Sequence, residues 1–401
     1  MNQRHWLLAS AVLLGMGLSQ PVGSAEAQTR GVTEITIGQT MPYSGPASIY
    51  GTIGKAEAAY FRMINDRGGI NGRKVRLISL DDGYTPPKTM EQTRKLVESE
   101  EVLLLFSIFG TATNVAVQRY LNQHGVPQLF PISGATRWGD PGHFPWTMGF
   151  QPTLQLEGRI IARYVLEHRP GAKIGVLYQN DDFGRDYLKG LKDGLGQNAA
   201  TTIVSEVTYE GTEPMVDSQI IALKASGAEV FVDISTAKFT AQAIRKTYDI
   251  AWNPLHVVFS GATGRSEVLR PAGLDKAAGL ISAAWAKDPT DPQWKDDAAT
   301  KDWLAWMSQY YPEGDPASSF NVAGYNWAML MVEVLRRCGD DLTRANVMRQ
   351  ATNLDTSLPM LLPGIRVSTG PKQFFPVREM QLKRFTGQFW EKFSEVISST
   401  E

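Results

Sequence analysis

Residues 63–86 read MINDRGGINGRKVRLISLDDGYTP, and this stretch decides the fold. A helical pattern ends at the glycine pair at 68–69, because glycine is the residue that most readily follows a helix C-terminus. An Asn-Gly turn at 71–72 leads into a β-rich run at 75–80, which ends in Asp81 and Asp82. The order of helix, glycine stop, tight turn, strand and acid predicts one unit of an α/β fold.

Short β-rich runs alternate with amphipathic helical patterns through most of the chain. Strands are predicted at 35–38, 75–80, 102–106, 128–131, 173–178, 202–208, 229–234 and 256–260, and β-structure again over 378–398. Helices are predicted at 55–66, 87–99, 156–168, 301–311 and 320–337. Such alternation is typical of parallel sheets covered by helices on both faces. It runs twice, over about 32–147 and about 153–280, so the predicted fold class is α/β with two doubly wound sheets.

Length, charge and cysteine content narrow the class of protein. A chain of 401 residues exceeds one ordinary hydrophobic core, so two domains are expected. The formal net charge is −1 and no basic block stands out, which argues against nucleic acid as a partner. Cys338 is the single cysteine, so it is expected to pack quietly near the end of a helix.

The first residues have the pattern of a secretory signal peptide. Arg4 gives a positive start, 6–18 is a short apolar run, and small residues surround a cleavage site after Ala27 or, alternatively, after Ala25. An N-terminal membrane anchor is the other interpretation, but the run is too short to span a bilayer. Residues 1–27 are therefore predicted to be a signal peptide, and the mature protein is expected to be soluble in the periplasm.

Over nearly its whole mature length the chain resembles the periplasmic solute-binding proteins of the branched-chain amino-acid (Leu/Ile/Val-binding) type. The resemblance is carried by ITIG at 35–38, SGP at 44–46, YG at 50–51, GGINGRKVRLISLDD at 68–82, GVP at 125–127 and YQNDDFG at 178–184. It implies a two-lobed type I periplasmic-binding-protein fold, each lobe a doubly wound and mostly parallel sheet, joined by three hinge crossovers. The expected lobes are 28–148 with 284–361, and 149–283 with 362–401.

The same resemblance implies a function. Proteins of this type are substrate-binding receptors of ABC importers, which trap a small molecule between two lobes and deliver it to a membrane permease. We therefore expect a monomer whose partners are a small-molecule ligand and a permease. No enzyme activity, cofactor or metal site is predicted, since the sequence has neither a G-x-S-x-G nucleophile motif, nor a phosphate-binding loop, nor a His/Cys cluster.

Two loops that follow predicted strands are rich in small and hydroxyl residues, as a carboxylate-binding turn needs. In open α/β sheets, ligands bind at the carboxyl ends of strands, where helix N-termini attract anions. Ordinary helix capping by the hydroxyl residues is the alternative interpretation. The resemblance favours ligand binding by these loops, through Phe109, Gly110, Thr111, Ile132, Ser133 and Gly134.

Aromatic residues are the second group of candidates. The resemblance places Tyr50 in a loop that covers the ligand, Phe109 at the ligand's border, and Phe183 above it from the second lobe. A surface turn is the alternative for Tyr50, and a core position is the alternative for Phe183. Phe320 begins a first-lobe helix and could reach the cleft, although packing of that helix is the favoured interpretation.

The ligand prediction depends on a missing acid. Relatives that bind α-amino acids hold the ammonium with an acid after the strand that ends here at Ser260, but this chain reads SGATG at 260–264 and has no acid before Glu267. An ammonium buried without a partner is costly. The predicted ligand is therefore a small carboxylate without an α-ammonium, with an aromatic or apolar body. Second-lobe candidates in the loops after 234 and 260 are Ser235, Ala237 and Ala262.

Other interpretations remain open. The chain could bind branched-chain amino acids or small amides, with Asp233 supplying a charge, or it could be a ligand-sensing module for a signalling partner. Neighbouring genes would discriminate, because permease and ATPase genes favour transport and a kinase gene favours sensing. Asp81 and Asp82 are predicted to cap the following loop, and Trp303 and Trp306 to pack in the core, with a carbohydrate platform as the alternative for the tryptophans.

Overall fold

The computed structural model describes residues 33–398. The predicted signal peptide at 1–27 lies outside these residues. Among the helices at 33–398, none combines the length and the apolar character that crossing a bilayer requires.

Five parallel strands form the first sheet, in the order β2-β1-β3-β4-β5. They are β1 (Glu34–Met41), β2 (Lys74–Asp81), β3 (Leu105–Phe106), β4 (Gln128–Leu129) and β5 (Thr147–Met148). The order reverses on either side of β1, so loops after β1 and β3 open to a common crevice, as expected of a doubly wound sheet.

Eight strands form the second sheet, in the order β14-β13-β10-β9-β8-β6-β7 with β15 beside β13. They are β6 (Ile174–Gln179), β7 (Ile203–Tyr209), β8 (Val230–Ile234), β9 (Leu255–Val258), β10 (Ile281–Ala284), β13 (Glu379–Phe385), β14 (Trp390–Lys392) and β15 (Ile397–Ser398), while β11 (Asp355–Thr356) and β12 (Val367–Ser368) pair separately. Strands β6 to β10 are parallel, and β13 joins β10 antiparallel. The predicted β-structure over 378–398 is therefore confirmed.

Helices connect the parallel strands and complete the α/β pattern that the sequence predicts. They are α1 (Gly51–Asp66), α2 (Pro86–Arg94), α3 (Thr111–Gln123), α4 (Leu154–His168), α5 (Asp182–Leu195), α6 (Ala199–Thr202), α7 (Asp217–Ala225), α8 (Ala237–Asp249), α9 (Arg270–Ala272), α10 (Ala298–Tyr310), α11 (Ser319–Cys338) and α12 (Arg344–Ala351). Helix α11 crosses α1 closely enough that a Cβ on Gly324 would lie 2.5 Å from the carbonyl oxygen of Ile53.

The chain passes between the two sheets three times: after β5, after β10 and before β13. The crossing segments lie side by side, since the amide of Lys287 donates to Met360 O at 2.9 Å and that of Leu362 donates to Trp285 O at 3.0 Å. The amide of Val377 donates to Phe150 O at 3.1 Å. The three crossings agree with the fold that the resemblance implies, whereas the residue boundaries of the two lobes stay a prediction.

The stretch that decides the fold has the geometry its sequence predicts. Gly69 has φ +78° and a Cβ there would lie 2.1 Å from Arg73 O, so this turn requires glycine. Asn71 and Gly72 both have positive φ, at 49° and 78°, as a two-residue hairpin turn needs. The Asp82 carboxylate accepts a hydrogen bond from the amide of Tyr84 at 2.9 Å, which confirms its predicted capping role.

Several predicted elements are shorter than expected. The strands predicted at 102–106 and 128–131 keep only two residues each. The first begins late, at Leu105, and the second ends at Leu129, because Phe130 (φ 58°) turns the backbone out of the strand conformation. The helix predicted at 87–99 ends at Arg94 and continues as a wider π-type turn.

Three predictions about single residues are confirmed. Trp303 and Trp306 lie in the core around the first sheet. Cys338 is the last residue of α11, and burial raises the pKa of its thiol to about 11.

Candidate functional site

A cavity of about 160 Å³ lies where loops at the carboxyl ends of strands from both sheets meet. A cavity of about 150 Å³ in another protein accommodates benzene, so this volume suits one ring with few substituents. Its walls come from the loops after β1, β3 and β4 in the first sheet, and after β6, β8 and β9 in the second.

Nine of the twelve predicted binding residues line this cavity: Tyr50, Phe109, Gly110, Thr111, Ile132, Ser133, Gly134, Phe183 and Phe320. The other three, Ser235, Ala237 and Ala262, do not, and their neighbours Thr236, Gly261 and Thr263 line it in their stead. Placement in the wall is a geometric finding, and the binding role of each residue stays a prediction.

The hydroxyl groups of Thr111 and Ser133 meet at the first-sheet wall. Their oxygen atoms are 2.8 Å apart, and both side chains are buried. An isolated parallel β-bridge between Phe109 and Ile132 holds the two loops together. Gly110, with φ +91°, precedes α3, and a Cβ there would lie 2.3 Å from the ring of Tyr84.

Thr111 is therefore the first residue of α3 and not its cap. The residue before the helix is Gly110, which has no side chain to cap it. Ser133 Oγ accepts hydrogen bonds from Trp138 Nε1 at 3.0 Å and from the amide of Ala135 at 3.2 Å. These two donors occupy both lone pairs of Ser133 Oγ, so the Ser133 hydroxyl donates to Thr111 Oγ1. The Thr111 proton is therefore the one left available at the positive end of the helix dipole.

Aromatic rings form much of the remaining wall. Tyr50 stacks between Phe109, with ring centroids 4.4 Å apart, and Phe320, with centroids 4.7 Å apart. Phe183 faces Phe259 at 4.9 Å on the second-sheet side. Phe320 packs on Tyr50 and lines the cavity at once, so both interpretations of this residue describe its position.

The Tyr50 hydroxyl links the two sheets. It accepts a hydrogen bond from the amide of Ala237 at 2.9 Å and donates to Gly261 O at 3.4 Å. Burial raises the pKa of Tyr50 well above its usual value, so the phenol stays neutral. Tyr84 makes a similar link, since its hydroxyl accepts from Gln179 Nε2 at 3.2 Å.

The structure also adds charged residues that the sequence interpretation missed. Lys287 and Asp288 follow β10, Lys383 belongs to β13, and all three line the cavity. The loop at 260–264 carries no carboxylate, as the sequence shows, but Asp288 brings one into the cavity wall from another segment. The charged pair at 287–288, three and four positions after the strand at 281–284, was the signal that could have found two of the three charged residues.

Two buried glutamates lie behind the second-sheet wall. Glu157 of α4 accepts hydrogen bonds from the amide and hydroxyl of Ser260 at 2.7 and 2.6 Å, and burial raises its pKa to about 7. Glu267 accepts a hydrogen bond from the Ser318 hydroxyl, and burial likewise raises its pKa to about 7.

Glu157 should make the stability of the protein depend on pH. Because its pKa is about 7 when folded and near 4.5 when unfolded, the folded state binds more protons between these values. The stabilisation is fully present below about pH 4.5 and is lost as pH rises through 7. We expect Glu157→Gln to raise the melting temperature at pH 8 by several degrees and to reduce the difference between pH 5.5 and pH 8.

Differential scanning calorimetry at both pH values checks this expectation. Glu167→Gln is the matched control, since Glu167 lies in the same helix but is exposed. Ser260, Tyr187 and Lys383 are the groups that face Glu157 and stay unchanged in both variants. Equal pH profiles for the wild type and Glu157→Gln would contradict the assignment.

Comparison with known proteins agrees with this architecture. Residues 34–386 match the model of the periplasmic binding protein family. The chain belongs to that family. The match runs from β1 to the end of β13, so it covers the first sheet and all of the second except β14 and β15. With it the fold that the resemblance implies is confirmed.

Two curated relatives that the chain matches are distant in sequence. A Leu/Ile/Val-binding protein homolog from Brucella abortus is 23% identical over 315 residues, which cover 76% of this chain and 77% of that protein. An amino acid binding protein from Pseudomonas aeruginosa is 27% identical over 236 residues, so the chain matches only 58% of that relative's length.

Solved structures of the same fold superimpose over most of the chain. A branched-chain amino acid ABC transporter protein from Thermus thermophilus with bound valine has a TM-score of 0.82 at 17% identity, covering 92% of this chain and 97% of that one. A solute-binding protein from Rhodopseudomonas palustris BisB5 in complex with 3,4-dihydroxybenzoic acid has a TM-score of 0.76 at 16% identity, covering 92% and 98%. Such low identity establishes the fold and leaves the ligand open.

Proposed function

We propose that this protein is a periplasmic receptor of an ABC importer that traps a small carboxylate between two lobes. The observation that carries the proposal is the pair of buried hydroxyls, Thr111 and Ser133, at the N-terminus of α3 in the cavity wall. The Thr111 O–H, held in place by Ser133, and the free N–H groups of the first helical turn are suited to the two oxygens of a carboxylate.

The proposed lobes are 28–148 with 284–361, and 149–283 with 362–401. Contacts between them support a closed form, in which Tyr50 reaches Ala237 and Gly261, and the Asp186 carboxylate accepts from the amide of Thr136 at 2.7 Å. Ligand would favour this form by contacting both lobes at once. A monomer that docks to a membrane permease completes the proposal.

The proposed ligand has an aromatic or otherwise apolar body and lacks an α-ammonium. Phe109, Phe183 and the stacked Tyr50 supply apolar ring surface, and a volume of about 160 Å³ suits a single ring. Asp288 supports a second candidate, because its carboxylate in the wall could pair with the ammonium of a branched-chain amino acid. The Rhodopseudomonas and Thermus structures contain one ligand of each kind.

Mass spectrometry of the ligand that co-purifies with native protein tests the proposal, followed by calorimetric titration of stripped protein. The panel includes benzoate, phenylacetate and cyclohexanecarboxylate, with leucine, valine and benzamide as comparisons. We expect an acid without an α-ammonium to bind most tightly, and small-angle scattering to show a smaller radius of gyration with that acid. Tighter binding of leucine or valine would favour the second candidate, and no binding of any acid would refute the carboxylate receptor.

A further inference from the structure

One side of the cavity is polar, and none of the residues that form it was predicted to bind ligand. It is formed by the crossing segment after β10, which contains Lys287 and Asp288, and by Lys383 of β13. In the register of the second sheet, Lys383 pairs with Ser282, so the end of β10 and the lysine are neighbours.

Lys383 is buried with few partners. Its ammonium donates to Thr263 Oγ1 at 3.0 Å and lies 4.4 Å from the centre of the Trp390 ring. These are its contacts among residues 33–398, and no carboxylate lies within 4.0 Å of it there. An ammonium has three N–H donors, so one hydrogen bond and one ring face leave donor capacity toward the cavity that the side chain lines.

The partner that Lys383 does have is fixed in place. The Thr263 hydroxyl donates to Ser260 O at 2.9 Å, and Thr263 O accepts from Trp390 Nε1 at 3.0 Å. Burial lowers the pKa of Lys383 to about 8. The negative charges of Asp288, Glu157 and Asp291, at longer range, act in the opposite direction and raise this pKa. The lysine therefore stays largely protonated at neutral pH and keeps its donors.

Other lysines nearby have different surroundings. Lys287 also lines the cavity, but it forms an ion pair with Asp297 at 2.7 Å. Lys392 is the cross-strand neighbour of Lys383 in β14 and lies 4.3 Å from the Trp294 ring, outside the cavity wall. Lys383 is thus the lysine whose donors the cavity itself could use.

An acceptor lies in the same wall. Asp288 Oδ1 accepts hydrogen bonds from the amide and hydroxyl of Thr290 at 2.8 and 2.7 Å, which hold the carboxylate in position. A second ligand carboxylate would be repelled by Asp288, whereas a hydroxyl could accept from Lys383 and donate to Asp288.

We propose that Lys383 and Asp288 form a polar subsite for a ligand hydroxyl, so that the ligand is a hydroxylated single-ring carboxylate. This inference rests on the proposed carboxylate receptor and specifies its substrate class. The Thr111 hydroxyl, positioned by Ser133, binds the carboxylate, and the subsite selects among acids that share this group.

Calorimetric titration with benzoate, the three monohydroxybenzoates and the three methoxybenzoates tests the subsite. We expect at least one hydroxybenzoate to bind about tenfold or more tightly than benzoate and than its methoxy analogue, since the methoxy group cannot donate to Asp288. Lys383→Met should reduce this preference to less than about threefold. Lys392→Met is the matched control and should keep the full preference.

Three other results would count against the subsite. Equal affinity for benzoate and every hydroxybenzoate in the wild type would overturn it while leaving the carboxylate receptor in place. Loss of affinity for all acids alike in Lys383→Met would assign that lysine a structural role. If no acid on the panel binds, the receptor proposal and the subsite both fail. Should Lys383→Met not fold, the wild-type panel and Asp288→Asn, which should reduce the same preference for a hydroxybenzoate over benzoate, decide the question.

Discussion

Replacing Thr111 by valine and Ser133 by alanine together should lower the affinity for a carboxylate ligand by about one to two orders of magnitude. The two hydroxyl oxygens are 2.8 Å apart in the cavity wall, so the Ser133 hydroxyl positions that of Thr111, whose proton a carboxylate can accept. A hydrogen bond to a charged group contributes about 1.5–3 kcal/mol. That free energy corresponds to about ten- to a hundredfold in Kd, which isothermal titration calorimetry measures directly.

Thr113→Val is the matched control for this double variant. Thr113 is buried two positions further along α3, its hydroxyl donates to Phe109 O, and it lies outside the cavity wall. We expect the control to lose thermal stability and to keep its affinity within about threefold. Unchanged affinity in the double variant, measured on protein with an intact melting transition, would remove the hydroxyl pair from the site.

Tyr50→Ala should weaken ligand binding by about a hundredfold and should also impair closure. The ring lines the cavity, and its contact with an aromatic ligand contributes about 0.5–1.5 kcal/mol. The hydroxyl adds hydrogen bonds with Ala237 and Gly261, each about 0.5–1.5 kcal/mol. Titration calorimetry measures the loss of affinity, and small-angle scattering measures the compaction that ligand induces.

The ring and the hydroxyl of Tyr50 differ in whether their contacts persist when the lobes open. Both stacking partners belong to the proposed first lobe, so stacking persists in an open form, whereas the hydroxyl contacts reach the proposed second lobe. Tyr50→Phe keeps the stack and removes only the bridge, and we expect it to weaken binding about five- to tenfold.

Tyr60→Ala is the control for the larger change. Tyr60 is buried to the same degree as Tyr50, at 5% and 4% exposure, and packs edge-on against Tyr325 outside the cavity. We expect Tyr60→Ala to lower the melting temperature about as much as Tyr50→Ala does and to leave the ligand affinity unchanged. If Tyr50→Ala bound ligand as well as Tyr60→Ala does, Tyr50 would have only a structural role.

The first-sheet side of the site could be predicted from sequence because its determinants are local. A strand, a short run of small and hydroxyl residues and a helix start follow one another around Gly110 and Ser133. In a parallel sheet, the carboxyl ends of neighbouring strands share one edge, so the two loops must meet. The observed contact between Thr111 and Ser133 follows from that arrangement.

The second-sheet side was predicted less accurately. Thr236, Gly261 and Thr263 line the cavity, where Ser235, Ala237 and Ala262 were expected. A displacement of one residue in a loop points the side chain to the other side of the backbone, and no local pattern marks that displacement. The structure decides it through Ala237, whose amide is the donor to the Tyr50 hydroxyl.

The sequence alone determined the alternation of strands and helices, the glycine turn at 63–86 and the hydroxyl loops of the first sheet. The tertiary structure decided the charge of the site. Lys383 and Thr263 are 120 positions apart, and they meet only because β13 joins β10 antiparallel with Lys383 opposite Ser282. Local propensities fix each strand, but strand order and register arise from packing across the whole chain, which is why this buried lysine had no signal in the sequence.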